Sequence, residues 1–149
     1  MKKLITLLQM ILLGFGLYAE ETNPGDAILG TYASVQAGHE YHAKITKKAD
    51  GTYKAQVIWV KDAINPDTGE KLKDTKNSNK ALRDTPVDEV ILMDGLKCNA
   101  EKDQWGDTKI YDPDRGIRAN VVVRFISDGQ LSLKGSVLGI SETVYWTRL

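Results

Sequence analysis

From Ile28 onward the chain is a succession of short extended runs, each closed by turn chemistry, and no stretch sustains a helical period. Such a pattern suits only architectures that bury one face of many short strands, an antiparallel sandwich or a barrel. The runs expected are 28–35, 41–46, 53–61, 89–93, 96–98, 108–111, 117–126, 131–137 and 142–148. Between them stand Ala37-Gly38, Asp50-Gly51, Asp94-Gly95, the stretch Asp112-Pro113-Asp114-Arg115-Gly116, and Asp128-Gly129. Asp-Gly is a strong hairpin signal because both residues tolerate positive φ. About eight strands in simple succession predict an all-β, up-and-down antiparallel barrel, whose closure leaves no exposed sheet edge.

Alternation says which side chains face inward. Ile117, Ala119, Val121, Val123 and Phe125 share one face of their run, with Arg118, Asn120 and Arg124 on the other. By the same parity Tyr41, Ala43 and Ile45, then Tyr53, Ala55, Val57 and Trp59, then Leu131, Leu133 and Gly135, line the interior. A barrel of eight strands is either just filled by side chains or just able to hold one small ligand. The mixture of small residues (Ala43, Ala55, Ala119, Gly135) with large ones leaves both outcomes open.

One segment interrupts the meander. Lys61 to Pro86 is overwhelmingly polar, and a connection of that length in a compact domain is often functional. It contains its own turn at Asn65-Pro66-Asp67-Thr68-Gly69 and a single helical turn over Lys80-Ala81-Leu82-Arg83 with Asn79 as N-cap. It reads either as a flap beside one barrel mouth or as a solvated insertion.

The N-terminus has the form of a cleaved export signal. Met1-Lys2-Lys3 is followed by an uncharged, apolar run from Leu4 to Leu17 and then by Tyr18-Ala19-Glu20-Glu21. The run is shorter than the roughly 20 residues that cross a bilayer. Cleavage is expected after Ala19, leaving residues 20–149 as one periplasmic or secreted domain. No cysteine follows the apolar run to carry lipid, so no membrane anchor is expected. The only cysteine, Cys98, permits no internal disulfide and reads as a buried thiol. Without Lys2 and Lys3 the mature chain is formally at −2, which gives no reason to expect a nucleic-acid partner.

Catalytic and metal chemistry find little support. His39 and His42 lie three residues apart on one run and so point to opposite faces, and no further Cys or His completes a zinc set. Ser141 and Cys98 sit in no nucleophile elbow. Asp103, Asp107, Asp112 and Asp114 lack the spacing and closing Glu of a calcium loop, and Asp112-Pro113-Asp114 reads as a turn. No cofactor and no metal site is expected.

Val57-Ile58-Trp59 with Asp62, Asp67-Thr68-Gly69-Glu70-Lys71-Leu72, Asp74, Asn77, Ala81-Leu82-Arg83, Ile91-Leu92, Gly95-Leu96, Trp105, Ile110-Tyr111-Asp112-Pro113, Gly116 and Trp146-Thr147-Arg148 together form a pattern over nearly the whole mature chain. It resembles the bacterial exported family catalogued as domain of unknown function 2147 and, more loosely, the calycins and lipocalins. In the latter a Gly-x-Trp opens the first strand and an Arg lies late in the last. Gly30-Thr31-Tyr32 stands here in the first place, with tyrosine for tryptophan, and Arg148 in the second. The resemblance implies an end closure by Tyr32, Trp146 and Arg148, with the guanidinium over the tyrosine ring.

For a ligand, the candidate residues are Asn77, Arg83, Trp105, Tyr111, Asp112 and Trp59, gathered at the mouth beside the long loop. Arg83 would receive a carboxylate or phosphate there, or else pair internally with an aspartate such as Asp112. The alternative for the aromatics is core and rim packing. The leading expectation is an exported, non-enzymatic binder of a small, partly apolar or amphipathic molecule. An envelope protein-interaction module with a filled barrel comes second and an uncharacterised enzyme third.

Overall fold

The computed structural model describes residues 22–149. The expected signal segment and its cleavage point lie outside the described residues. Nine strands form one antiparallel sheet closed on itself. They are β1 (Gly30–Gln36), β2 (His39–Lys47), β3 (Tyr53–Val60), β4 (Ile91–Asn99), β5 (Gln104–Gly106), β6 (Lys109–Asp112), β7 (Ile117–Ser127), β8 (Gln130–Val137) and β9 (Ile140–Arg148). Apart from β5 and β6, which do not pair with each other, each strand pairs with its neighbour in sequence, and β1 closes the ring on β9 through Tyr32 opposite Arg148 and Ala33 opposite Thr147. The barrel has eight positions because β5 and β6 share one of them between β4 and β7. Asp107, with φ of 60°, breaks the line between the two short strands.

Local chemistry departs from expectation at the Asp-Gly pairs. Asp94-Gly95 is no hairpin, since β4 runs through it and Gly95, at φ 74°, bends the strand instead. At Asp50-Gly51 only the glycine has positive φ, and the Asp50 carboxylate accepts from the Thr52 N–H and hydroxyl. The two-residue turns with both φ positive are Ala37-Gly38 and Leu138-Gly139.

The inward parity holds for Ala43, Ile45, Tyr53, Ala55, Val57, Val121, Val123, Leu131 and Leu133, all buried. It fails at Trp59. A bulge shifts the β2–β3 register between His42 and Ala43, so that His42 faces Trp59 while Ala43 faces Val57. Val60 then turns inward and Trp59 is left 41% exposed on the outer wall, stacked on His42 at 4.5 Å between ring centroids.

A 3-10 turn, Pro24–Ile28, plugs one end of the barrel. Its carbonyls are taken by barrel side chains: Gly25 by the Trp105 indole N–H (3.1 Å), Ala27 by Arg148 (2.5 Å) and Ile28 by the Tyr32 hydroxyl (2.9 Å). Gly25 belongs there because a Cβ would run into the Tyr53 hydroxyl and crowd Cys98. The Tyr53 hydroxyl donates to Asp26 at 2.7 Å, which with Lys47 holds that carboxyl below its ordinary range. Above the plug the middle of the barrel is packed solid with Trp146, Ile45, Met93, Leu96, Leu131 and Leu133.

Candidate functional site

Space opens toward the other end, because the plug and the aromatic layer occupy the lower barrel. There the interior-facing positions shrink to Ala119 on β7 and Gly135 on β8, so the wall has no bulk to fill the axis. A cavity of about 280 Å³ results, with Ile110, Ile117, Leu133, Val137, Ile140 and Val144 as apolar walls. A second compartment of about 170 Å³ lies beside it under the long loop, walled by Val57, Val60, Leu72, Val87 and Leu92. Gln36, Ile110 and Tyr111 line both and form the ridge between them.

Polar groups gather at the rim. On the larger side Arg115, in the β6–β7 turn, donates through Nε to Asp112 (2.7 Å) and through both terminal nitrogens to Glu142 on β9. This bidentate pair spans the opening and holds the Glu142 carboxyl below its usual range. On the smaller side stand His39, Tyr41 and Asp114. The Tyr41 hydroxyl accepts from the Trp146 indole at 2.8 Å and has Ser34, opposite it on β1, as a second hydrogen-bonding neighbour.

The ridge is fixed from outside by the long loop. Asp74, 3% exposed, accepts from the Tyr111 hydroxyl (2.7 Å) and from the Asn77 amide (2.8 Å). Burial, then the hydrogen bond to Asp74, push the Tyr111 phenol well above its ordinary value. Arg118 lies over Tyr111, its guanidinium 4.8 Å from the ring centroid. The loop itself is ordered: Ile64 pairs with Lys71 and Lys73 with Pro86, and Asn79 caps the 3-10 turn Lys80–Leu82 through its side chain. Lys76 adds a bond to the Asp114 carbonyl at 2.6 Å.

Of the residues expected at the mouth, the structure brings Tyr111 and Asp112 there and Asn77 just behind them. Asn77 faces inward to the loop, its Oδ1 accepting from the Asn79 N–H at 2.9 Å. Arg83 donates from Nε to the Asn77 carbonyl at 2.7 Å, so it braces the loop, and the partner of Asp112 is Arg115. Trp59 is on the outer wall for the reason given above. Trp105 is buried at the plugged end, edge-on to Phe125 at 5.7 Å, because the break at Asp107 sets β5 and β6 at different heights on the barrel. Tyr32 and Arg148 meet at that same end, with the guanidinium 5.3 Å from the ring centroid and a 2.8 Å bond to the hydroxyl. Trp146 lies deeper, 6.1 Å from Tyr32 between centroids.

Sequence reasoning missed Gln36, Asp74, Arg115 and Glu142. Gln36 had a readable signal, a polar residue of inward parity one step before a turn. Asp74 and Arg115 each have a partner three residues away, Asn77 and Asp112, but the contacts that place them at the mouth, Asp74 with Tyr111 and Arg115 with Glu142, join residues far apart in the chain.

The family model described as an uncharacterized protein conserved in bacteria (DUF2147) matches residues 30–148. A solved structure, protein HP1028 from Helicobacter pylori, described as belonging to the lipocalin family, is similar to this chain at 23% identity and a TM-score of 0.65. The similarity covers 82% of each chain, and it establishes a shared lipocalin-like fold. No curated protein matches.

Proposed function

The chain belongs to the DUF2147 family and carries a lipocalin-like barrel, and from that premise we propose that it is an exported, non-enzymatic binding protein for a small, partly apolar ligand held in the open mouth. The observation that carries this reading is the cavity of about 280 Å³, apolar in its walls and polar only at its rim, above a barrel that is otherwise plugged and packed. An apolar hollow with few, placed polar groups is what a small-molecule site requires. It would be costly as mere imperfection, because unfilled apolar volume forfeits packing on every side.

A second reading has its own observation. Val35, Ile58, Trp59 and Tyr145 are exposed apolar residues on β1, β3 and β9, and aromatic residues of this kind favour contact with another protein. In that case the cavity is incidental and the outer wall is the working surface.

The test uses the chain from Glu20 onward with 1-anilinonaphthalene-8-sulfonate as the fluorescent probe, and native mass spectrometry of protein taken from its own envelope. Binding in the mouth predicts probe enhancement that falls at least tenfold in affinity in Ala119→Leu, at unchanged melting temperature, and a co-purifying small molecule. A parent that neither enhances the probe nor carries a small molecule, but co-purifies with another protein, refutes the cavity reading in favour of the outer wall. The envelope sample also addresses export, since a mature N-terminus at or near Glu20 is expected and an intact Met1 would refute it.

A further inference from the structure

Resting on that reading of the mouth, we infer that the ligand has two apolar arms joined at a hydrogen-bond-accepting hub. The two compartments meet at Gln36, Ile110 and Tyr111, which line both, and otherwise have different walls. At about 30 Å³ per water-sized group, the larger holds roughly nine methylene-sized groups and the smaller roughly six. One linear chain cannot use both without bending back over the Ile110–Tyr111 ridge. That ridge does not yield: Tyr111 is tied to buried Asp74 by its hydroxyl and covered by Arg118, and Ile110 is held in the β6 ladder opposite Ala119 and Met93.

The threshold has the chemistry of a hub. Gln36, half-buried at the end of β1, reaches both rooms and offers two amide donors and one acceptor. An amide donor that reaches both apolar rooms fits an ester or amide carbonyl at a branch point. On the larger side the charged rim groups pair with one another, Arg115 with Asp112 and Glu142, so that room demands no charge from the ligand.

The experiment compares 1,2-dihexanoylglycerol with 1-hexanoylglycerol by isothermal titration calorimetry on the mature chain, below their aggregation concentrations. The two-armed reading predicts that the diester binds at least tenfold more tightly than the monoester. It further predicts that Ala119→Leu, which fills the larger room, and Val87→Phe, which fills the smaller, each reduce diester affinity at least tenfold. Monoester affinity falls in no more than one of them. Leu72→Phe narrows the same smaller room from its exposed wall and replaces Val87→Phe should that variant melt early. Equal affinities for the two esters, or a diester indifferent to filling of the smaller room, overturn the two-armed inference while leaving a one-room binding site in place. Failure of both esters and of the naphthalene probe overturns the binding reading itself.

Discussion

Removing the Asp74 carboxylate should loosen the whole long loop, because two buried donors from different parts of the chain meet on it. In Asp74→Ala the Tyr111 hydroxyl and the Asn77 amide both lose their acceptor, and neither is placed to reach water in its stead. A buried donor left unsatisfied costs about 1–3 kcal/mol, so the pair amounts to roughly 2–6 kcal/mol. For a domain of this size that corresponds to a fall in Tm on the order of 10 °C. Asp74→Asn is the finer probe. Its carbonyl still accepts from Tyr111, but its amide faces the Asn77 amide, which cannot turn without giving up the Asn79 N–H. The expected loss is then about 1–3 kcal/mol. Urea denaturation followed by Trp fluorescence gives the energies, and hydrogen exchange over residues 61–90 gives their location. Both variants should exchange faster at Asp74, Leu72 and Val87, whose amides are bonded within the loop. A denaturation midpoint equal to the parent's, with unchanged exchange in this segment, would show that the loop is held by something other than the Asp74 node.

Arg148→Ala should cost about 1–3 kcal/mol, read from the urea midpoint, since it strips the Ala27 and Leu29 carbonyls of their donor and uncovers the Tyr32 ring; an unmoved midpoint would remove the end-closure argument. Leu138→Asn should stabilise by about 0.5–1 kcal/mol, because Leu138 sits at φ 50° and 97% exposed in a turn that favours Asn-Gly; a lowered Tm would mean that the leucine is held by contacts the structure lacks. Arg115 holds the Glu142 carboxyl below its ordinary value near 4.5, so the stabilisation from this pair is full above that value and is lost as pH falls through the depressed one. An NMR titration should place the Glu142 midpoint below that of the Arg115→Gln variant, and coincident midpoints would dissolve the clasp over the larger room.

Much of this architecture is legible without coordinates because strands announce themselves locally. Alternation over 117–125 and 131–135 sets which side chains are buried, and the turns at 37–38, 112–116 and 128–129 set where the chain reverses. Even the Asn79 cap inside the polar loop follows from four consecutive residues. Trp59 shows where that legibility stops. Its parity is inward by counting, and one bulge in the ladder against β2 sends it outward, an event decided by pairing between strands rather than by the composition of either.

The site was less legible than the fold for the same reason carried further. Tyr111 and Asn77 were visible as candidates, but their joining at Asp74, 37 residues from Tyr111, depends on how the loop folds back across β6. Trp105 and Tyr111 are near in sequence, yet the kink at Asp107 puts one at the plugged end and the other at the mouth. Alternating hydrophobicity and turn spacing by themselves narrowed the fold to an antiparallel sandwich or barrel, because burying one face of many short strands admits few other solutions. Which end is open, how much of the interior is empty and which polar groups surround it were decided by the tertiary structure, because a plug, a bulge and a buried carboxylate act between residues that are distant along the chain.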